Sequence, residues 1–69
     1  MIRSILSVRM GERRMKIQDV AKATGLARNT IALLYHDKAV RVDLDALDRL
    51  CELFQCEIGE ILVRTEKST

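Results

Sequence analysis

Apolar residues recur along the chain at the spacing of short amphipathic helices. Runs of this kind alternate with short polar connections, and the first run has Ser4 available as its N-cap. The spacing predicts five helices, over residues 4–13, 17–24, 27–35, 44–54 and 58–62. The sequence has no proline and three glycines, which also favours helices over a turn-rich β-fold.

The fourth predicted helix has the clearest apolar stripe. Asp43 precedes it as an N-cap, and charged residues occupy the positions outside the stripe. The stripe consists of Leu44, Leu47, Leu50, Cys51 and Phe54. We expect these side chains to form part of the core.

The connections and the chain ends are less regular. Residues 36–42 show no helical periodicity and are predicted to form a surface loop. Residues 1–3 fit either a helix start or a short strand, which could pair with the β-favouring residues 63–65. The prediction is therefore an all-α, compact five-helix bundle with a possible terminal strand pair, one domain over residues 1–65, and a frayed polar tail over residues 66–69.

A single glycine separates the second and third predicted helices. Two helices joined by a turn of three or four residues cross steeply only if their backbones approach closely. Ala21 supplies a small contact at the crossing, and Gly25 supplies a residue that accepts a positive φ. Arg28 and Asn29 then follow at the exposed start of the third helix, where a helix-turn-helix would meet DNA. A generic helical hairpin gives no reason for that polar run.

The charge distribution supports a nucleic-acid partner more than the net charge does. The 69 residues carry a net charge of +2. Residues 1–42 hold nine Lys or Arg and three Asp or Glu, whereas residues 43–69 hold three and seven. This division predicts one basic and one acidic face, and the basic face could release counterions from phosphates.

Other classes of chemistry find little support. Cys51 and Cys56 would point about 140° apart on one continuous helix, so we expect reduced, buried thiols and no disulfide between them. His36 is the single histidine, and no ligand spacing is typical of a metal site. We expect no cofactor, no membrane span and no enzymatic activity, because neither a nucleophile–base pair nor a phosphate loop occurs.

Residues 17–36 resemble the helix-turn-helix of the Cro/C1-type, or XRE-like, DNA-binding domains. The start Met1-Ile2-Arg3, the helix from Asp43 to Cys51 and the ending CEIGEIL are similar to a compact subgroup of single-domain bacterial and phage regulators. The resemblance implies a lambda-repressor-like fold whose third helix reads the major groove of double-stranded DNA.

The resemblance also implies roles for individual residues, by position. Base-reading roles fall on Arg28, Asn29 and Leu33, where Arg suits guanine, Asn suits adenine and Leu suits a thymine methyl. Phosphate contacts fall on the polar residues around them, namely Lys16, Gln18, Thr30, Lys38 and Arg41.

Two functions remain open at this point. The first is a cytoplasmic transcriptional regulator that binds a palindromic operator as a homodimer, without a small-molecule ligand. The second is an antitoxin or partner-bound subunit that uses the apolar segment 58–63. Self-association that depends on concentration would favour the homodimer, whereas a monomer with an exposed apolar patch would favour a partner protein.

Overall fold

In the computed structural model, residues 1–66 are described and form a small helical domain with one strand pair. In chain order these residues form β1 (Ile2–Ser4), α1 (Leu6–Glu12), α2 (Ile17–Thr24), α3 (Arg28–Tyr35), α4 (Leu44–Phe54), a 3-10 turn (Ile58–Glu60) and β2 (Leu62–Arg64). Glu66 is the only residue of the predicted 66–69 tail that is described, and residues 67–69 lie outside the described part.

The core is formed by the inward faces of all four helices and by the residue that precedes β2. Its helical members include Leu6 from α1, Val20 from α2, Ile31 from α3 and Leu50 from α4, each inaccessible to solvent. Ile61, just before β2, is equally buried. Because these residues come from every part of the chain, the helical faces predicted by apolar spacing meet in one cluster.

The two chain ends pair as antiparallel strands. Ile2 lies opposite Arg64, and Ser4 lies opposite Leu62. The N-terminal ammonium also donates a hydrogen bond to the carbonyl of Thr65 at 2.7 Å. The predicted terminal strand pair is thus present, displaced by one residue on each strand.

The predicted fifth helix is wrong, because residues 1–66 contain four α-helices. Residues 58–60 form a single 3-10 turn, which is closed by a bond from the N–H of Ile61 to the carbonyl of Ile58 at 3.0 Å. The carbonyl of Ile61 then accepts a hydrogen bond from the N–H of Ile5 at 2.7 Å. This long-range bond directs the chain into β2, so residue 62 belongs to a strand.

Two details of the helix predictions also need correction. Ser4 is not the N-cap residue of α1, which is Ile5. Ser4 lies in β1, where its hydroxyl donates to the carbonyl of Leu34 at 2.7 Å and accepts a long bond of 3.4 Å from the N–H of Leu6. Leu44 is 80% exposed and lies outside the core. The buried face of α4 is turned towards Ala46, so the first residue of the helix lies at its border. No helix among the described residues is long and apolar enough to cross a membrane.

Candidate nucleic-acid interface

The turn between α2 and α3 is made by a glycine in the left-handed conformation. Gly25 has φ 78° and ψ 6°, and its N–H donates to the carbonyl of Ala21 at 2.9 Å. Ala21 is buried where α2 packs in the core. A residue with a Cβ is disfavoured at this φ, so glycine is what allows the chain to leave α2 and start α3 three residues later.

Side chains on both sides of Gly25 hold this turn in place. The hydroxyl of Thr24 donates to the carbonyl of Val20 at 2.8 Å and accepts a bond from the N–H of Leu26 at 3.2 Å. Arg49 of α4 donates through Nη1 to the carbonyl of Thr24 at 3.0 Å. Sequence reasoning missed Arg49, because its partner lies 25 residues away and no local pattern connects them.

The first turn of α3 presents its polar side chains to solvent. Arg28 and Asn29 are exposed, while Ile31 and Leu34 on the opposite face are buried. Leu33 is 39% exposed on the outer side. One short helix thus carries all three predicted base-reading residues on the surface, with its buried side fixed in the core.

The predicted phosphate-contacting residues lie at different places around α3. Thr30 is half-buried and lines a shallow cleft together with Arg41. Gln18 is exposed in the first turn of α2, and Lys38 is exposed just beyond α3. The structure brings Thr30 and Arg41 together, whereas within residues 1–66 no hydrogen bond or ion pair joins Gln18 or Lys38 to them.

The start of α2 orients the residue before it through the backbone. The N–H of Lys16 donates to the carboxylate of Asp19 at 2.8 Å. This is one half of a capping box. The other half cannot form through the Lys16 side chain, because an ammonium has no acceptor. The Lys16 ammonium is consequently available to solvent, on the exposed side of the α2 start.

The end of α3 is held by a carboxylate. Asp37 has φ 58°, and its two oxygens accept bonds from the N–H of Ser4 at 2.7 Å and from Nε of Arg3 at 2.8 Å. The backbone bond from Ser4 is the first cause, and the Arg3 side chain the second, of the lowered pKa of Asp37. Sequence reasoning placed residue 37 in a surface loop and missed this link to β1.

The cations within residues 1–66 include two groups. Arg3, Arg9 and Arg49 pair with carboxylates of the protein, and Arg13 donates to the last carbonyls of α4. A second group has no carboxylate within 4.0 Å among residues 1–66, and it includes the predicted DNA contacts Lys16, Arg28, Lys38 and Arg41. These side chains can therefore meet phosphates or bases without breaking an ion pair within that part of the chain.

The two remaining candidate features are a metal site and the apolar segment 58–63. Within residues 1–66 no group of three or more His, Cys, Asp or Glu side chains is placed to hold a metal ion. In the apolar segment 58–63, Ile61 is fully buried and Leu62 is half-buried, while Ile58 is 50% exposed. Ile61 and Leu62 therefore contribute to the packing of the fold, whereas Ile58 is exposed at the surface.

An α2–turn–α3 unit with a left-handed glycine, a buried crossing and an exposed polar second helix defines a helix-turn-helix DNA-binding domain. Residues 5–67 match the family model of the Cro/C1-type HTH DNA-binding domain, and the chain belongs to that family.

Individual proteins agree with this assignment. YozG of Bacillus subtilis strain 168, described as an uncharacterized HTH-type transcriptional regulator, is 25% identical over 65 residues, which are 93% of this chain and 77% of YozG. A crystal structure of a protein from Bacteroides fragilis has the same fold, with a TM-score of 0.76 and 22% identity. That match covers 90% of this chain and 98% of the other.

Proposed function

We propose that residues 1–65 act as a single DNA-binding domain of a transcriptional regulator, which reads a specific duplex sequence with the exposed face of α3. The observation that carries the proposal is the exposure of Arg28 and Asn29 on a helix whose other face is fixed in the core. Arg can bond bidentately to guanine and Asn to adenine in the major groove. A cytoplasmic location is part of this proposal, because a bacterial regulator meets its DNA there.

The remaining proposed roles are contacts to phosphates and one apolar contact to a base. Lys16, Lys38 and Arg41 contact phosphates, as do Gln18 and Thr30 through their polar side chains. Leu33 is exposed on the outer side of α3 and contacts a thymine methyl. Phosphate contacts of this kind position the helix, and base contacts supply the specificity.

The proposed regulator binds as a homodimer to a palindrome. A recognition helix of eight residues reaches only a few base pairs, so a single copy gives a short and frequent target. Two copies related by a two-fold axis would read two half-sites about 10 base pairs apart, which is one turn of the duplex.

Selection of bound sequences from a random duplex pool tests this function. We expect an enriched palindrome whose half-sites are about one helical turn apart. Affinity for the selected duplex should fall steeply as salt is raised, because phosphate contacts release counterions. Enrichment of no sequence, with binding that depends on salt alone, would contradict the sequence-specific role.

The mass of the protein in solution tests the dimer separately. Light scattering of the complex with the selected duplex should give two protein chains for each duplex. A single chain on a single half-site would leave the base-reading role intact and refute the homodimer.

A further inference from the structure

The end of α4 brings the two cysteines of the chain together. Gln55 takes the left-handed conformation with φ 51°, and its N–H donates to the carbonyl of Glu52 at 3.3 Å. The N–H of Cys56 then donates to the carbonyl of Cys51 at 3.0 Å. These two bonds define the Schellman motif, in which the residue after the left-handed one packs against the last turn of the helix.

This motif overturns the expectation that the two thiols point apart. A continuous helix would separate them by rotation, but the helix ends at Phe54 and Cys56 folds back onto Cys51. Both cysteines are free and half-exposed, which also corrects the prediction that they are buried. A disulfide requires a close approach, with Cα atoms about 4.4–6.8 Å apart. The bond of 3.0 Å brings the backbones of Cys51 and Cys56 close, and the Schellman motif is typically accompanied by contact between the side chains at these two positions.

The two thiols are accessible from one surface cleft. The cleft has a volume of about 430 Å³, and its other lining residues are Asp48, Glu52, Gln55, Glu57 and Glu60. Partial burial raises the pKa of the Cys51 thiol, and the neighbouring Cys56 thiol and the carboxylates of Asp48 and Glu57 add to this. The raised pKa lowers the thiolate fraction of Cys51, which suits it to the second step of a thiol–disulfide exchange.

We propose that Cys51 and Cys56 form a site of reversible oxidation, where a small disulfide oxidant converts the two thiols into an intramolecular disulfide. With oxidised glutathione, the Cys56 thiolate attacks one glutathione sulfur, forms a mixed disulfide and releases one glutathione thiolate. Cys51 then loses its proton and attacks the Cys56 Sγ, which releases the second glutathione. The two protein thiols together lose two electrons and two protons. One glutathione disulfide gains both and becomes two glutathione thiols.

The fold itself favours this reaction. In the folded chain the Schellman bonds already hold the two residues together, so little further ordering of the backbone is needed to close the disulfide. An unfolded chain must order the intervening residues 52–55 first. If the equilibrium constant for disulfide formation is larger in the folded than in the unfolded chain, linkage requires that the disulfide raise the folding equilibrium constant by the same factor. Oxidation should therefore raise the melting temperature of the protein.

Equilibration with glutathione tests the site directly. The folded protein is incubated with defined ratios of reduced and oxidised glutathione, quenched with acid and analysed by intact mass. We expect a monomeric product lighter by two hydrogen atoms, with an equilibrium constant at least about tenfold larger in buffer than in urea. An equal or smaller constant in the folded protein, or only mixed disulfides with glutathione, would overturn the proposal.

Two sets of variants serve as controls. Cys51→Ala and Cys56→Ala each remove one partner, so each should retain circular dichroism and give only a mixed disulfide or a linked dimer. Gln55→Gly permits the left-handed conformation at this position, so the disulfide should still form. Gln55→Val disfavours that conformation and should lower the equilibrium constant for disulfide formation severalfold. An unchanged constant in Gln55→Val would show that the Schellman motif does not position the pair.

Discussion

The two ends of the recognition helix α3 are held by different kinds of contact. At its start, Gly25 turns the chain, and Thr24 and Arg49 hold the turn through bonds to the backbone. At its end, Asp37 connects the helix to β1 by accepting bonds from Arg3 and Ser4. The start depends on a left-handed glycine and on contacts of groups that do not titrate near neutral pH, whereas the end depends on a carboxylate that can be protonated.

This difference separates two tasks in the helix-turn-helix. The start fixes the angle at which α3 leaves α2, and with it the direction of Arg28 and Asn29. The end joins the helix to the strand pair of β1 and β2. Changes at the start should therefore affect the fold strongly and at any pH, whereas changes at the end should depend on the ionisation of one carboxyl group.

The largest effect is expected for Gly25→Val. A β-branched residue tolerates φ 78° poorly, and a Cβ at this position would lie 3.4 Å from Nη1 of Arg49. The strain and the disturbed Arg49 contact should lower the free energy of unfolding by about 2–4 kcal/mol, measured by urea denaturation. Gly25→Asn serves as the control, because asparagine accepts the left-handed conformation more readily and should cost less. Equal losses in the two variants would mean that the positive φ is not the cause.

A smaller effect is expected for Arg49→Ala. This change removes the bond to the carbonyl of Thr24 and the ion pair with Asp45 at 3.0 Å. Loss of the charged hydrogen bond should cost about 1 kcal/mol of unfolding free energy. Asp45→Asn removes the exposed ion pair alone and should change stability by less than about 0.5 kcal/mol. If Asp45→Asn loses as much unfolding free energy as Arg49→Ala, the ion pair and not the contact with Thr24 accounts for the stabilisation by Arg49.

The smallest effect is expected at the other end, for Asp37→Asn. Asparagine preserves the left-handed conformation but lacks the charge that Arg3 pairs with. The pKa of Asp37 is lowered from 3.8, so its carboxylate stabilises the fold above that value and ceases to do so as the pH falls through the folded pKa. The melting temperature of the wild type should exceed that of Asp37→Asn at about pH 6, and the difference should vanish near pH 2. A difference that is independent of pH would exclude ionisation as its origin.

The same contrast explains what could be predicted from the sequence. The bounds of α2 and the conformation of Gly25 follow from apolar spacing and one glycine, both of which are local. Arg49 and Asp37 were missed because their partners lie 25 and more than 30 residues away. The predicted fifth helix is wrong for a related reason, since the bond from the N–H of Ile5 to the carbonyl of Ile61 directs the chain into β2 and no local feature indicates that bond.

The sequence predicts the exposed face of α3 better than it predicts the contacts that hold this helix in place. The exposed face of α3 can be predicted, because Ile31 and Leu34 define the buried face and Arg28, Asn29 and Leu33 lie on the other side of the helix. Leu44 was misplaced because a residue at the start of a helix fits an apolar stripe by spacing, although the buried face begins at Ala46. Spacing therefore gives the face of a long helix better than it gives the burial of the first residue.

Affinity measurements on a set of single base-pair variants of the selected duplex test the base-reading role most directly. The wild type, Arg28→Ala and Lys38→Ala are compared on every duplex at one salt concentration. Arg28→Ala should lose about 1–3 kcal/mol on the best duplex and lose its preference at one base pair, whereas Lys38→Ala should weaken all duplexes alike. Uniform weakening by Arg28→Ala, with every base preference of the wild type retained, would contradict the role assigned to the start of α3.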